Sequence, residues 1–250
     1  YDRDGNGYFS ASEIAAIEEI NSSGDITANP NKGKASVKSM KGIEFFAELK
    51  KLRCSYNQIT ALNLSKNKKL TVLDCSTNRI TSLDVSGNPA LEELECWTNK
   101  LTSLDVSGNP ALTKLDCQSN HLAAIDVSNN PALTELNVGY NMLTSLDLSN
   151  NEMLEFLNCE NNSIVSLDLS NNTELEYAKL SGNGFDPNSV IDHDPDTGEA
   201  KTAKSKITAS AGTNGLWMWV GIGAGALLLA GAVIAVVIIR KRKKSKENQN

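Results

Sequence analysis

Histidine is nearly missing from this sequence. There are two in 250 residues, His121 and His193, too few for a histidine-rich metal enzyme. Cysteine is sparse as well: five residues are no disulfide scaffold, and an odd number cannot pair completely within one chain. Basic charge is in deficit, with 24 Lys and Arg against 30 Asp and Glu. That balance argues against a nucleic-acid binder, which would show a basic stripe. An export signal is also missing, because Tyr1 falls inside a motif rather than opening a positively charged and then apolar leader. The expectation is a fragment, or a processed chain, without its original N-terminus. What remains is 40% apolar residues, enough for a core, and a length that allows one or two domains.

The apolar residues are unevenly spread. Leu216 to Ile239 is a run of 24 residues without a charge. At about 1.5 Å per helical residue it reaches ~36 Å, enough to cross roughly 30 Å of hydrocarbon with some tilt. Trp217 and Trp219 stand at its start, where indole rings favour the interface, and a basic cluster from Arg240 to Lys246 follows. The pattern predicts a single transmembrane helix over 216–239, a cytoplasmic tail over 240–250, and residues 1–215 outside. The tail holds six bases and one acid, so the preceding 239 residues carry -11 of a net charge of -6. Residues 197–215 are small and polar and read as a flexible stalk.

The middle is a repeat. Leu49, Leu70, Leu91, Leu112, Leu133, Leu154 and Leu175 stand 21 residues apart. The unit reads L-x-x-L-x-C-x-x-N-x-L-T-x-L-D-V-S-x-N-P-x, whose first half matches the leucine-rich-repeat consensus. Six units are complete; in the seventh, Ala178 and Leu180 replace the second Leu and the Cys. Leu94 and Cys96 alternate with Glu93, Glu95 and Trp97, which predicts a strand with one buried face. A lone unit has too few apolar side chains to offset the ordering of 21 residues. The units must therefore stack into an α/β solenoid with a continuous parallel sheet on its concave side. The expected domain spans 49–196.

Three columns follow from stacking. The asparagines Asn57, Asn78, Asn99, Asn120, Asn141, Asn162 and Asn183 are expected to bond backbone where the strand turns. Cys54, Cys75, Cys96, Cys117 and Cys159 share one position, with Val138 in the gap. Coils sit about 4.8 Å apart, but in-register Cβ vectors run parallel instead of converging, so free buried thiols are expected. Asp84, Asp105, Asp126, Asp147 and Asp168 form an outer column; local bonding to turn amides is the favoured reading, and cation binding between coils the alternative.

Residues 2–13 read DRDGNGYFSASE. Asp2, Asp4 and Asn6 fill positions 1, 3 and 5 of an EF-hand calcium loop, Gly7 is its turn glycine, Tyr8 supplies a carbonyl, Ser10 sits at position 9 and Glu13 is the bidentate ligand. The reading is a structural calcium site in an N-terminal cap, 1–48, followed by a helix with Ile14, Ile17 and Ile20 on one face. Asp192, Asp194 and Asp196 resemble a second loop only superficially, since Thr197 replaces the glycine.

The 21-residue unit, with Cys in the strand and LDVSxNP in the return, resembles the repeats of internalin-J-like bacterial surface proteins. Many of these place an EF-hand-like segment before a stretch like that from Met40 to Phe46. The resemblance covers roughly residues 1–190. It implies a curved solenoid on a Gram-positive type cell envelope, with adhesion or ligand binding as the usual role. Sortase-anchored relatives carry an LPxTG-type signal before the apolar run. Ser210 to Gly215 here does not match it, so direct membrane anchoring is expected.

Solenoids usually bind on the concave strand face. Its candidate ligand-binding residues are Arg53, Asp74, Glu93, Glu95, Trp97, Asp116, Tyr140, Phe156 and Tyr177, with Lys51, Glu135 and Glu160 beside them. Trp97 is the sharpest, an exposed aromatic flanked by carboxylates and suited to a protein hot spot or a stacked sugar. Catalysis has little support, because no nucleophile arrangement surrounds either histidine. The expected function is protein or glycan binding by a membrane-anchored surface protein. The alternative is a calcium-braced structural spacer without a ligand.

Overall fold

Each 21-residue unit closes one coil because its apolar residues fall on the inside of a single turn of chain. In the computed structural model, residues 10–23 and 37–185 are described, together with the strand segments 190–193, 200–202 and 237–238. The chain opens with α1 (Ala11–Ala15) and β1 (Glu19–Asn21). The repeats then supply β2 (Lys51–Arg53), β3 (Val72–Asp74), β4 (Glu93–Glu95), β5 (Lys114–Asp116), β6 (Glu135–Asn137) and β7 (Phe156–Asn158). After β8 (Leu167–Asp168) on the return side comes β9 (Tyr177–Lys179), then β10 (Val190–His193), β11 (Ala200–Thr202) and β12 (Val237–Ile238). One sheet runs β1-β2-β3-β4-β5-β6-β7-β9-β12 and a second runs β11-β10-β8. From β2 to β9 the pairing is parallel with an unbroken register, Leu52 on Leu73, Leu94, Leu115, Leu136, Leu157 and Ala178 in turn.

The in-facing leucines, the five cysteines and Val138 are all buried in one core that runs the length of the stack. Isoleucine and leucine from Ile59 to Ile164 line the side after the strand, and Leu64, Val85, Val106, Val127, Leu148 and Leu169 line the return. Ile17 and Ile43 join the core at its first coil, and Ile20, Val37, Met40 and Phe46, partly buried, pack against that core.

Directly after each strand the chain must reverse within one residue. Tyr56, Thr77, Thr98, Ser119, Tyr140 and Asn161 all adopt left-handed backbone, with φ between 49° and 56°, and Gly182 occupies the same place at 70°. An L-residue there costs roughly 1–2 kcal/mol. The next residue in each coil secures the bend. Asn120, for example, donates Nδ2 to the carbonyls of Cys96, Cys117 and Gln118, and its Oδ1 accepts the Leu101 amide at 3.0 Å. This is the expected role of that asparagine column, extended by two bonds to the preceding coil.

One expectation changes. Ile14, Ile17 and Ile20 do not share one helix: α1 ends at Ala15 and Ile20 lies in β1. The open edge of β2 explains this, because its unpaired amides and carbonyls accept another parallel strand, and β1 supplies it. Of the expected membrane helix over 216–239, only Val237 and Ile238 are described, and they form β12, antiparallel on Ala178 and Tyr177 at the other open edge. Among the described residues no helix is long and apolar enough to cross a membrane. Most of the stalk and of that apolar run, and all of the basic tail, lie outside the described residues.

Candidate functional site

Because the register never slips, every outward strand residue stacks on its equivalent in the next coil, and the concave face resolves into columns. One column reads Lys51, Val72, Glu93, Lys114, Glu135, Phe156 and Tyr177. The next reads Arg53, Asp74, Glu95, Asp116, Asn137, Asn158 and Lys179. A third, two residues further along each coil, reads Ser55, Ser76, Trp97, Gln118, Gly139, Glu160 and Ser181. The fold thus brings together eight of the nine candidate ligand-binding residues on one surface. Tyr140 sits at its rim, in the bend after β6, and is 49% exposed.

Trp97 is not the open aromatic that the sequence led us to expect. It is half-buried and meets Tyr56 edge to face, with ring centroids 5.6 Å apart at 77°. The two residues belong to coils separated by a third, whose Ser76 is small enough to let the rings meet. Phe156 and Tyr177 form a second pair, stacked at 5.3 Å and 7°. Two aromatic pairs therefore flank the middle of the face from either end.

The middle is polar. Lys114 donates to Glu95 at 2.5 Å, and this bond raises the lysine pKa further. Asp116 accepts the Gln118 amide and the Asn137 side chain, at 3.1 and 3.0 Å. Burial nevertheless lifts its carboxyl to about 6, with Glu95 adding repulsion. Asn137 also donates to Gln118 Oε1, and Asn158 reaches the same oxygen from two coils away. Gly139 lies between them, and a Cβ there would press on the Asn158 amide. Tyr56, Ser76, Gln118, Asn137 and Asn158 belong to this face and were not among the expected site residues. Column-by-column reading of the 21-residue period would have found all but Tyr56, whose place depends on the left-handed bend.

The other expected groups are placed as follows. The thiols are free and fully buried. Burial pushes Cys54 and Cys159 up to about 12, and Cys75, Cys96 and Cys117 rise too. The outer aspartates bond locally: Asp84, Asp105, Asp126, Asp147 and Asp168 each accept the amide of the serine two residues on. Among the described residues no cluster of three His, Cys, Asp or Glu could hold a metal ion. Of the expected calcium ligands, Asp2, Asp4, Asn6 and Tyr8 lie outside the described residues. Ser10 is exposed and shares a hydrogen bond with Ser12, and Glu13 lies in α1. His121 is exposed on the flank, away from the face, and His193 lies in β10.

A second asparagine column escaped the sequence reading. Asn67, Asn88, Asn109, Asn130, Asn151 and Asn172 are buried at the return turn. Each donates to two carbonyls of the preceding coil; Asn109, for instance, reaches Val85 and Asn88 at 2.9 Å. Their Oδ1 atoms have no hydrogen-bond partner. The signal was present, since this asparagine recurs every 21 residues, but an Asn among Ser, Gly and Asn, followed by Pro in three of the six coils, reads as an exposed turn.

Comparison with known proteins agrees with this architecture. Residues 47–89 match the family model for leucine-rich repeats in two copies. No curated protein matches the chain. Among solved structures, the chain is similar to InlJ of Listeria monocytogenes, whose functional domain is described as including a cysteine ladder. The two share 38% identity and a TM-score of 0.57, over 69% of this chain and 41% of that one. An internalin, InlF, of the same organism is 27% identical with a TM-score of 0.57, over 60% of this chain and 47% of that one. Internalin C2 superposes with a TM-score of 0.62 at 21% identity, a likeness of fold alone. The chain thus spans less than half the length of the first two.

Proposed function

We propose that this chain, an internalin-like leucine-rich-repeat protein, binds a partner protein on its concave face. One observation carries the reading: two aromatic pairs, Tyr56 with Trp97 and Phe156 with Tyr177, flank a polar centre on a regular, open sheet. Rigid, half-buried aromatic side chains are among the residues that most often serve as protein hot spots. Seven strands at about 4.8 Å spacing give a face roughly 30 Å long, within the range of a standard interface. Repeats of this class typically serve as binding scaffolds rather than enzymes. The apolar run 216–239 and its basic flank support display outside the cell on one membrane segment. The loop at 2–13 supports a structural calcium ion in the cap.

The test is a binding screen of the full chain, in nanodiscs with calcium, against cell-surface and envelope proteins and against glycans. A saturable protein partner is expected, with affinity falling at least tenfold on Phe156→Ala or Tyr177→Ala. Unchanged attachment in both variants, with Glu13→Ala lowering thermal stability in calcium, would instead make the chain a calcium-braced spacer.

A further inference from the structure

We infer that the Tyr56–Trp97 pair and Asp74 form a subsite for a cationic side chain, arginine or lysine, of the partner protein. This rests on the concave-face reading and names the chemistry of one anchor within it. The first observation is a charge left over. In its column, Asp74 lies between Arg53 and Glu95. Arg53 turns away to Glu19, at 2.7 Å, and Glu95 is held by Lys114 at 2.5 Å. Asp74 accepts the Ser76 amide at 3.1 Å and enters no ion pair among the described residues. Partly buried as it is, it is a carboxylate without a counter-charge on a binding surface.

The second observation is independent of charge. Ser76 faces the same side as Asp74, two residues along the coil, and is fully buried. Its Oγ has no hydrogen-bond partner. Its neighbours in the column are Ser55 and Trp97, and the Tyr56 and Trp97 rings meet across it, so the hydroxyl lies closed beneath the pair. A buried, unpartnered hydroxyl is a standing cost to the fold. A guanidinium or ammonium that parts the two rings would donate to that oxygen and to Asp74, and lie against the rings, which attract cations. A neutral sugar would use the rings and the hydroxyl, but would bury Asp74 still further from water without neutralising it.

The probes are tri-arginine peptide and its neutral isostere, tri-citrulline, added to the full chain in nanodiscs. The readout is the indole N–H resonance of Trp97, assigned by its loss in Trp97→Phe. A saturable shift with tri-arginine and none with tri-citrulline is expected. Asp74→Asn should weaken binding about tenfold. Asp105→Asn makes the same charge change in the outer column, where Asp105 accepts the Ser107 amide, and should alter it less than twofold. Ser76→Ala should weaken binding about threefold while leaving the melting temperature unchanged or raised. Equal losses in Asp74→Asn and Asp105→Asn would reduce the effect to diffuse attraction and overturn the subsite. Equal shifts with tri-citrulline, or none with either peptide, would overturn it too. Once the screen has yielded a partner, binding lost in Phe156→Ala but kept in Asp74→Asn sinks the subsite and spares the concave-face reading. Binding kept in both variants sinks the two together.

Discussion

Two asparagine columns run the length of the stack, and their bonding predicts different costs of removal. Asn120→Ala removes three donated bonds, to Cys96, Cys117 and Gln118, and strands the Leu101 amide, whose acceptor is Asn120 Oδ1. Leu101 is fully buried, so that amide finds no water. An orphaned buried donor costs roughly 1–3 kcal/mol and each lost bond about 1 kcal/mol. The total is about 5 kcal/mol, or a melting temperature about 15 °C lower at roughly 2–4 °C per kcal/mol. Asn109→Ala removes two donated bonds and strands no donor: Val85 O still receives the Asn88 amide and Asn88 O the Leu91 amide, just as Cys96 O, Cys117 O and Gln118 O keep the Asn99 and Asn141 side chains and the Thr98 amide in Asn120→Ala. It also removes an Oδ1 that is buried without a partner. Those terms nearly offset, leaving a loss of about 1 kcal/mol. Urea and thermal unfolding followed by circular dichroism would give both values from the same protein. An Asn109→Ala loss equal to or larger than that of Asn120→Ala would refute the reasoning, because it would mean that the unpartnered oxygen carries no cost.

The left-handed bends give a second ranking. Thr98→Gly should stabilise by about 0.5–1 kcal/mol, since relief of the left-handed strain exceeds the added freedom of the unfolded chain. Gly182→Ala, which would drive a Cβ into the Asn161 side chain, should destabilise by about 1–3 kcal/mol; both follow from urea unfolding midpoints. The buried thiols should resist a thiol reagent until the chain unfolds. Their folded pKa lies above the unfolded value near 9, at about 12 for Cys54 and Cys159. The stability they contribute is therefore complete below pH 9 and lost as pH rises toward 12. Cys159→Val should move alkaline unfolding to higher pH in a pH-jump experiment. Asp116 has a folded value raised from 3.8 to about 6, so its contribution is present below pH 4 and lost as pH rises through 6. Asp116→Asn should gain stability relative to wild type from pH 4 to pH 7 in parallel melts, and a reversed slope would refute the assignment.

The repeat frame was legible from spacing because each apolar position has one environment in every coil. Leu94 and Cys96 are buried for the reason that Glu93 and Glu95 are not. The first asparagine column and the outer aspartates were legible too, as local bonding partners. What was not legible depends on contacts between coils. Trp97 read as exposed because its own coil gives it no neighbour; Tyr56 covers it from two coils away, over a serine. Ile20 read as helical because three isoleucines fit that period, and the demand of the sheet edge for a strand is not written in the segment itself. The second asparagine column was hidden by its setting of Ser, Gly, Asn and, in three coils, Pro, which makes a buried ladder look like a surface turn.

The unbroken register separates two kinds of inheritance. Inward leucines, cysteines and both asparagine columns are tied to their counterparts in the coils before and after, so a change in one is felt by three. Outward strand residues take no part in closing the coil, and their columns hold Lys, Val, Glu, Phe and Tyr at one position without disturbing it. Such a molecule can vary its concave surface one residue at a time while its architecture stays still. It can also lengthen by whole coils, carrying new reading positions with each.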